Sequence, residues 1–235
     1  MTDDAGFTRV KETFEGWSLY EAVVRHNYML HAELIVALGQ WAAAQARPLA
    51  VLDLGCGDAY LTSQAFRNAD VASYEGVDLS EAAAERARRN VGQWAGRATV
   101  TCGNLMDHLA GVPDASKNLV LASYSLHHFA SPQKAAILAG CRRVLVPDGT
   151  LIWVDVVLGE GESRDESLTR QTHMFRHEWT GLTPEQREQV VAHVWEADFP
   201  ETAAWMNRET AKLGFAPGER LLGDEFYSAW RFALA

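Results

Sequence analysis

Cysteine is scarce. The 235-residue chain has three, Cys56, Cys102 and Cys141, scattered and odd in number, which excludes a disulfide framework and any cysteine-based metal spacing. That usage fits a reducing cytosol, and a cytoplasmic location is expected. Basic charge is also short: 21 Lys and Arg stand against 31 Asp and Glu, for a net charge of -10, and no basic run exceeds Arg88-Arg89 or Arg142-Arg143. A chain without a basic face is ill suited to phosphate backbones, so tRNA, rRNA and DNA are excluded as substrates. Apolar runs long enough to span a membrane are missing, and the first 17 residues lack the apolar core of an export signal. The expected partner is therefore a small-molecule acceptor, with neither nucleic acid nor membrane; the oligomeric state is left open. Repeats and low-complexity tracts are absent too. What remains is ordinary globular composition, 48% hydrophobic and 22% charged, sufficient for one large α/β domain with a helical attachment.

What is present centres on Val51-Leu52-Asp53-Leu54-Gly55-Cys56-Gly57-Asp58-Ala59-Tyr60. The apolar run from Leu49 to Leu54 predicts a parallel strand buried on both faces. Gly55 and Gly57 let the backbone turn sharply and approach a ligand, and the helix expected from about Ala59 to Arg67 points its first amides into that turn. The next strand, Tyr74-Glu75-Gly76-Val77-Asp78, ends in a carboxylate about 20 residues beyond the glycines, the spacing at which an acidic residue grips ribose hydroxyls. Two details distinguish nucleotides. A dinucleotide fingerprint requires glycine where Tyr60 stands, and Asp53, just before the turn, repels a pyrophosphate but attracts an ammonium or sulfonium cation.

VLDLGCGDAYL, EGVDLS, LVLASYSLHHF and RRVLVPDGTLIWVDVV, taken in that order, resemble the class I S-adenosylmethionine-dependent methyltransferases, small-molecule type, over roughly residues 49–157. The resemblance implies an α/β fold: a Rossmann-like doubly wound seven-stranded sheet, parallel strands closed by an antiparallel hairpin, with N-terminal helices and an inserted helical lid. It divides the chain into an N-terminal helical cap (1–48), a cofactor-binding core (49–157), a lid insertion (158–200), and a last helix with the closing hairpin (201–235). It implies S-adenosylmethionine as cofactor. Gly55 and Gly57 would meet its methionine end, Asp53 and the Cys56 backbone its ammonium, Asp78 its ribose, Leu79 and Leu105 the two faces of its adenine and Asn104 the adenine edge, with Ser123 beneath the sulfonium. Asn104 replaces the acid common in the family, and Ala59 stands where a third glycine is frequent, which is tolerated unless φ is positive there.

Residues from about Thr13 to Ala46 follow a helical period with two stripes, one running Trp17, Tyr20, Val24, Tyr28, His31, Ile35 and the other Val23, Leu30, Leu34, Leu38, Trp41. Because helices ahead of the glycine loop often roof the acceptor pocket in the family, Tyr20, Tyr28 and His31 are candidate substrate contacts. After the fourth strand the family places the methyl-accepting atom. Ser123–His128 has nothing of the Asn-Pro-Pro-aromatic tetrad of enzymes that methylate amide or adenine nitrogens. His127 and His128 are the candidate catalytic residues, since an imidazole suits proton removal at neutral pH; on an extended segment at most one would face the pocket. A Ser131-Pro132 cap opens the following helix, and Pro147-Asp148-Gly149 turns into the fifth strand, Thr150–Val157.

Residues 158–200 far exceed a simple connection. Capping boxes at Ser163–Glu166 and Thr183–Gln186 open two helices, the first with Leu168, Thr172, Phe175 and Trp179 on one face. His173, Arg176, His177 and Trp179 are the candidate specificity surface, and no metal is expected, because His173 and His177 lack the intervening Glu of a zinc-protease motif. The reading is methyl transfer to an oxygen or nitrogen of a small polar or aromatic metabolite. Two alternatives stand beside it: a non-catalytic S-adenosylmethionine-binding protein, and a nucleotide-dependent oxidoreductase.

Overall fold

A computed structural model describes residues 17–234. The predicted helix start at Thr13 lies outside them. The helical stretch to Ala46 is two helices, α1 (Trp17–Arg25) and α2 (His31–Ala43), broken where Asn27 and Leu30 take left-handed φ of 55° and 58°. Asn27 tolerates that conformation, and its amide explains the break: Oδ1 accepts from the Ala32 amide at 2.8 Å and Nδ2 donates to Glu33 at 2.8 Å, so the side chain starts the second helix.

The remaining elements are β1 (Leu49–Leu54), α3 (Tyr60–Ala65), β2 (Val71–Asp78), α4 (Glu81–Asn90), β3 (Ala98–Cys102), α5 (Leu105–Gly111), β4 (Lys117–Ser123), α6 (Ser131–Val144), β5 (Leu145–Leu158), α7 (Arg164–His177), α8 (Pro184–Ala197), β6 (Glu201–Thr202), α9 (Ala203–Lys212), β7 (Glu219–Gly223) and β8 (Tyr227–Ala233). The sheet runs β3-β2-β1-β4-β5-β8-β7, parallel through β5, with β8 antiparallel to both neighbours and the two-residue β6 beside β5. Strand order reverses between β1 and β4, and in such sheets ligands bind at the carboxyl ends of the strands at that reversal.

Alternation along each central strand sends side chains to two cores. Leu52, Leu54, Val120, Ala122, Leu151 and Trp153 pack against α5, α6 and α9, while Val51, Leu119, Leu121, Ile152 and Val154 pack against α2, α3 and α4. A third cluster joins Ala22 and Val23 of α1 to Phe175, Trp179, Val191 and Val194 of the 158–200 insertion. α1 and the lid therefore pack as one roof over the carboxyl edge of the sheet.

Two local expectations are corrected. Ala130, not Ser131, is the cap of α6; Pro132 sits one position deeper, and the Gln133 side chain accepts from the Ala130 amide at 3.0 Å. Pro147-Asp148-Gly149 does not precede β5 but interrupts it, a bulge that slips the register between Lys117↔Leu145 and Leu119↔Thr150. At the start of β8 both faces are covered: Tyr227 and Ala229, on the face opposite Phe232, are 3% and 0% exposed because α2 and the roof cover that side. No helix among the described residues is long and apolar enough to cross a membrane.

Candidate active site

A cavity of about 260 Å³ opens at the carboxyl ends of β1, β2 and β4 beneath the roof. Its floor is the glycine turn. Gly55 and Cys56 donate their amides to Val77 O at 2.9 and 3.0 Å, which ties the turn to β2. Gly55 has φ +69°, and a Cβ there would lie 2.4 Å from Ser125 Cβ, so only glycine fits. Gly57, φ +54°, has open space where a Cβ would point, on the side a ligand approaches. Ala59 takes φ 55° and is 1% exposed, so the alanine at the third-glycine position does carry left-handed strain.

Asp78 ends β2 inside the cavity, its two oxygens accepting from the amides of Gly57 (2.8 Å) and Ser80 (2.9 Å). Burial raises its pKa against those amide bonds. Asp53 is 1% exposed; the hydroxyls of Thr62 (2.6 Å) and Tyr74 (2.9 Å) both donate to its Oδ2. Burial pushes its carboxyl up to about 6 despite these donors, with Asp78 adding to the rise. Leu79, Asn104, Leu105 and Ser123 complete this end of the cavity. Asn104 also caps α5, Oδ1 accepting from the Met106 amide at 2.8 Å, a role equally suited to the acid found in relatives of the fold. An amide-lined glycine turn, a ribose-spaced carboxylate and apolar walls suit an adenosine-bearing cation.

Residues 51–149 match the family described as methyltransferase domain. That stretch is a class I S-adenosylmethionine-dependent methyltransferase domain. S-adenosylmethionine is its cofactor. A carboxy-S-adenosyl-L-methionine synthase of Aliivibrio fischeri (strain MJ11) is 27% identical over 206 residues, 86% of this chain and 83% of that one. A malonyl-[acyl-carrier protein] O-methyltransferase of Halorhodospira halophila is 33% identical over 109 residues, 46% of this chain and 35% of that one. In fold the methyltransferase is similar to magnesium protoporphyrin IX methyltransferase from Synechocystis with bound S-adenosylhomocysteine, with TM-score 0.67, 16% identity, and 97% and 99% of the two chains covered. The dinucleotide reading falls with these matches.

The roof of the methyltransferase sorts the substrate candidates. Tyr20, His31 and Trp179 line the cavity. Tyr28, His173, Arg176 and His177 do not, which corrects four expectations. Tyr28 instead stacks on Trp179, rings 4.7 Å apart and 4° from parallel, while its hydroxyl accepts from the Gly181 amide at 2.7 Å. It braces the lid from outside. His173, Arg176 and His177 lie on the solvent face of α7, whose other face buries Leu168, Thr172 and Phe175; Arg176 pairs with Glu188 at 2.6 Å. The inner stripe seen in the sequence already excluded them. His31 is 3% exposed, its Nδ1 without a hydrogen-bond partner, and burial pulls its pKa down to about 4, so it faces the cavity neutral.

The histidine pair also departs from expectation. Leu126–His128 is a 3-10 turn, not an extended segment, so His127 and His128 point the same way, with ring centroids 4.0 Å apart, and both line the cavity. His127 Nδ1 contacts Asp155 Oδ1, and Asp155 is filled by three more donors: the amides of His127 (3.1 Å) and Val156 (3.0 Å) and the Trp153 indole (2.8 Å). That carboxylate sets the tautomer and aims His127 Nε2 toward Asp198. Burial alone would lower the His127 pKa, but the charges of Asp155 and Asp198 outweigh it and hold it above its ordinary value. Asp198 and His193 went unnoticed in the sequence. Asp198 follows the end of α8 at a point that reads as a helix stop, and His193 lies beside an apolar stripe; nothing local pairs either with residues some 65 positions earlier.

Proposed function

We propose that the protein transfers the methyl group of S-adenosylmethionine to an oxygen or nitrogen of a small, uncharged aromatic metabolite. One observation carries the reading: the cavity beyond the cofactor end is closed by Tyr20, Tyr124, Phe175, Trp179 and Tyr227, and among the described residues no Lys or Arg lines it. Aromatic walls favour a flat acceptor through stacking and edge contacts. Three carboxylates, Asp53, Asp78 and Asp198, also line the cavity and disfavour an anionic acceptor.

S-adenosylmethionine supplies a methyl group already activated on a sulfonium. The chain's own residues then bind, orient and exclude water. Gly55, Gly57, Asp78 and Leu79 seat the cofactor, while Ser123 ends β4 at the junction with the acceptor end. The wall of His127, His128 and Asp198 faces the acceptor's nucleophilic atom. The packed roof of α1, α7 and α8 keeps the site dry, the condition under which alignment alone contributes much of the rate.

The relatives named carboxy-S-adenosyl-L-methionine synthase suggest a second reading, but a carboxylated cofactor would place its new charge among the same acidic groups. The test is to incubate the purified protein with S-adenosylmethionine and a panel of phenols, catechols, arylamines and carboxylic acids, following S-adenosylhomocysteine release and the masses of the products. Methylated phenol, catechol or arylamine supports the proposal. Methylation of acids alone, or a carboxylated cofactor, refutes it.

A further inference from the structure

The wall at the acceptor end has a geometry that hydrogen bonding does not explain. Asp198 is 2% exposed, and its Oδ1 has no hydrogen-bond partner. Three imidazole nitrogens surround that oxygen: His128 Nδ1 at 3.4 Å, His127 Nε2 at 3.6 Å and His193 Nε2 at 3.8 Å. All three distances exceed the usual N–H···O range. They suit a different arrangement, because two ligand atoms bound at about 2.1 Å to one tetrahedral ion stand about 3.4 Å apart.

We propose that His127, His128 and Asp198 form a binding site for a divalent transition-metal ion at the acceptor end of the cavity, with His193 at its margin. One ligand atom from each of the three lies within 4.8 Å of the others. His127 is prepared for the role. Asp155 holds its Nδ1, the carboxylate–histidine arrangement that commonly backs a metal ligand, and a metal binding there would displace the Nε2 proton. His128 Nδ1 also lies 3.2 Å from Ala197 O, at the long end of hydrogen bonding, so its ligation takes the tautomer with the proton on Nε2.

The surroundings hold the ligands still. The Phe199 amide donates to His127 O at 2.6 Å, joining the segment that carries Asp198 to the turn that carries the histidines. Arg164 donates to Asp198 O at 2.6 Å and to Trp195 O at 2.5 Å, and the buried Lys134 reaches Phe199 O and Glu201. Two nitrogens and one oxygen select Zn2+, Co2+, Ni2+ or Fe2+ over Mg2+ or Ca2+, which prefer all-oxygen sets. Because the ligands line the cavity, the ion would keep a position open toward it for a lone pair of the acceptor. The inference rests on reading this end of the cavity as the acceptor side.

The test uses full-length protein freed of metal by chelation and titrated with Co2+, read by visible d–d absorption and by metal content after dialysis. One ion per chain in a tetrahedral or five-coordinate spectrum is expected. Asp198→Asn, shown folded by circular dichroism and a cooperative melt, should weaken binding by about tenfold or more, and Asp155→Asn by about ten- to a hundredfold. His177→Gln controls for the exposed His173–His177 pair, whose rings lie 4.4 Å apart, and should change nothing. Absence of Co2+ and Zn2+ binding at millimolar concentration would overturn the inference, as would binding that survives Asp198→Asn and disappears in His177→Gln. Titration of the metal-free protein with S-adenosylhomocysteine separates the two questions: its failure counts against the functional reading, and the metal result is read independently.

Discussion

Replacing Asp53 with Asn should raise the stability of the ligand-free protein and weaken its hold on the cofactor. The carboxyl is buried to 1% exposure and its pKa lies near 6 where a free Asp has 3.8. That difference corresponds to about 3 kcal/mol against the charged form once the pH is above both values. The Asn keeps the shape but serves the Thr62 and Tyr74 hydroxyls less well, which returns about 1 kcal/mol. A net gain of about 1–2 kcal/mol is expected, or roughly 3–6 °C in melting temperature for a chain of this size. The sign fixes the pH dependence. A pKa raised in the fold means that the native state holds this proton more tightly than the unfolded chain, so Asp53 costs stability progressively as pH rises from about 4 to about 6. The melting advantage of Asp53→Asn should therefore be full at pH 7.5 and vanish near pH 4. Cofactor affinity should move the other way, falling by about tenfold or more at pH 7.5, because the carboxylate supplies the attraction for the ammonium. Thermal melts across this pH range and calorimetry with S-adenosylhomocysteine measure both. A variant that melts lower than the parent at pH 7.5, or binds S-adenosylhomocysteine equally well, refutes the reasoning.

Four further outcomes are expected. Asp78→Ala removes the acceptor for the Gly57 and Ser80 amides as well as the ribose contact, and calorimetry should show S-adenosylhomocysteine bound about tenfold more weakly or worse; unchanged affinity would sink the ribose assignment. Gly55→Ala forces a Cβ to within 2.4 Å of Ser125 Cβ at positive φ, a cost of about 2–4 kcal/mol by urea denaturation, and adding Ser125→Gly should return only the steric part. Arg176→Ala breaks an exposed ion pair and should change stability by less than about 0.5 kcal/mol with no effect on ligand binding; a lost acceptor would restore Arg176 to the site. Trp179→Ala removes a buried ring stacked on Tyr28 and packed at a tilt against Phe175, and should cost about 3–5 kcal/mol by denaturation; a cost under 1 kcal/mol would mean that the roof is not packed as described.

The sequence by itself determined the doubly wound sheet, the cofactor end of the cavity and the boundaries of the lid helices. These rest on local signals. Continuous apolar runs mark strands covered on both faces, two glycines mark a left-handed turn, and the capping boxes at Ser163 and Thr183 both form. All nine residues assigned to the cofactor from the motifs line one cavity, because strand ends and their following turns converge at the sheet's carboxyl edge whatever the loops do. The inner face of α7 was legible as well, and taken at its word it would have kept His173, Arg176 and His177 out of the site.

Tertiary structure alone decided the acceptor end. The break at Asn27 depends on one side chain capping a helix five residues on, and it lets α1 fold across the lid while α2 stays on the sheet. The shared orientation of His127 and His128 follows from a single 3-10 turn that no periodicity announces. Asp198 meets those histidines because a backbone hydrogen bond from Phe199 and the contacts of Arg164 and the buried Lys134 draw the end of α8 against the start of α6. Such contacts join residues far apart in the chain and leave no spacing to read. The cofactor is bound by the regular part of the fold, and its acceptor is met by the irregular part.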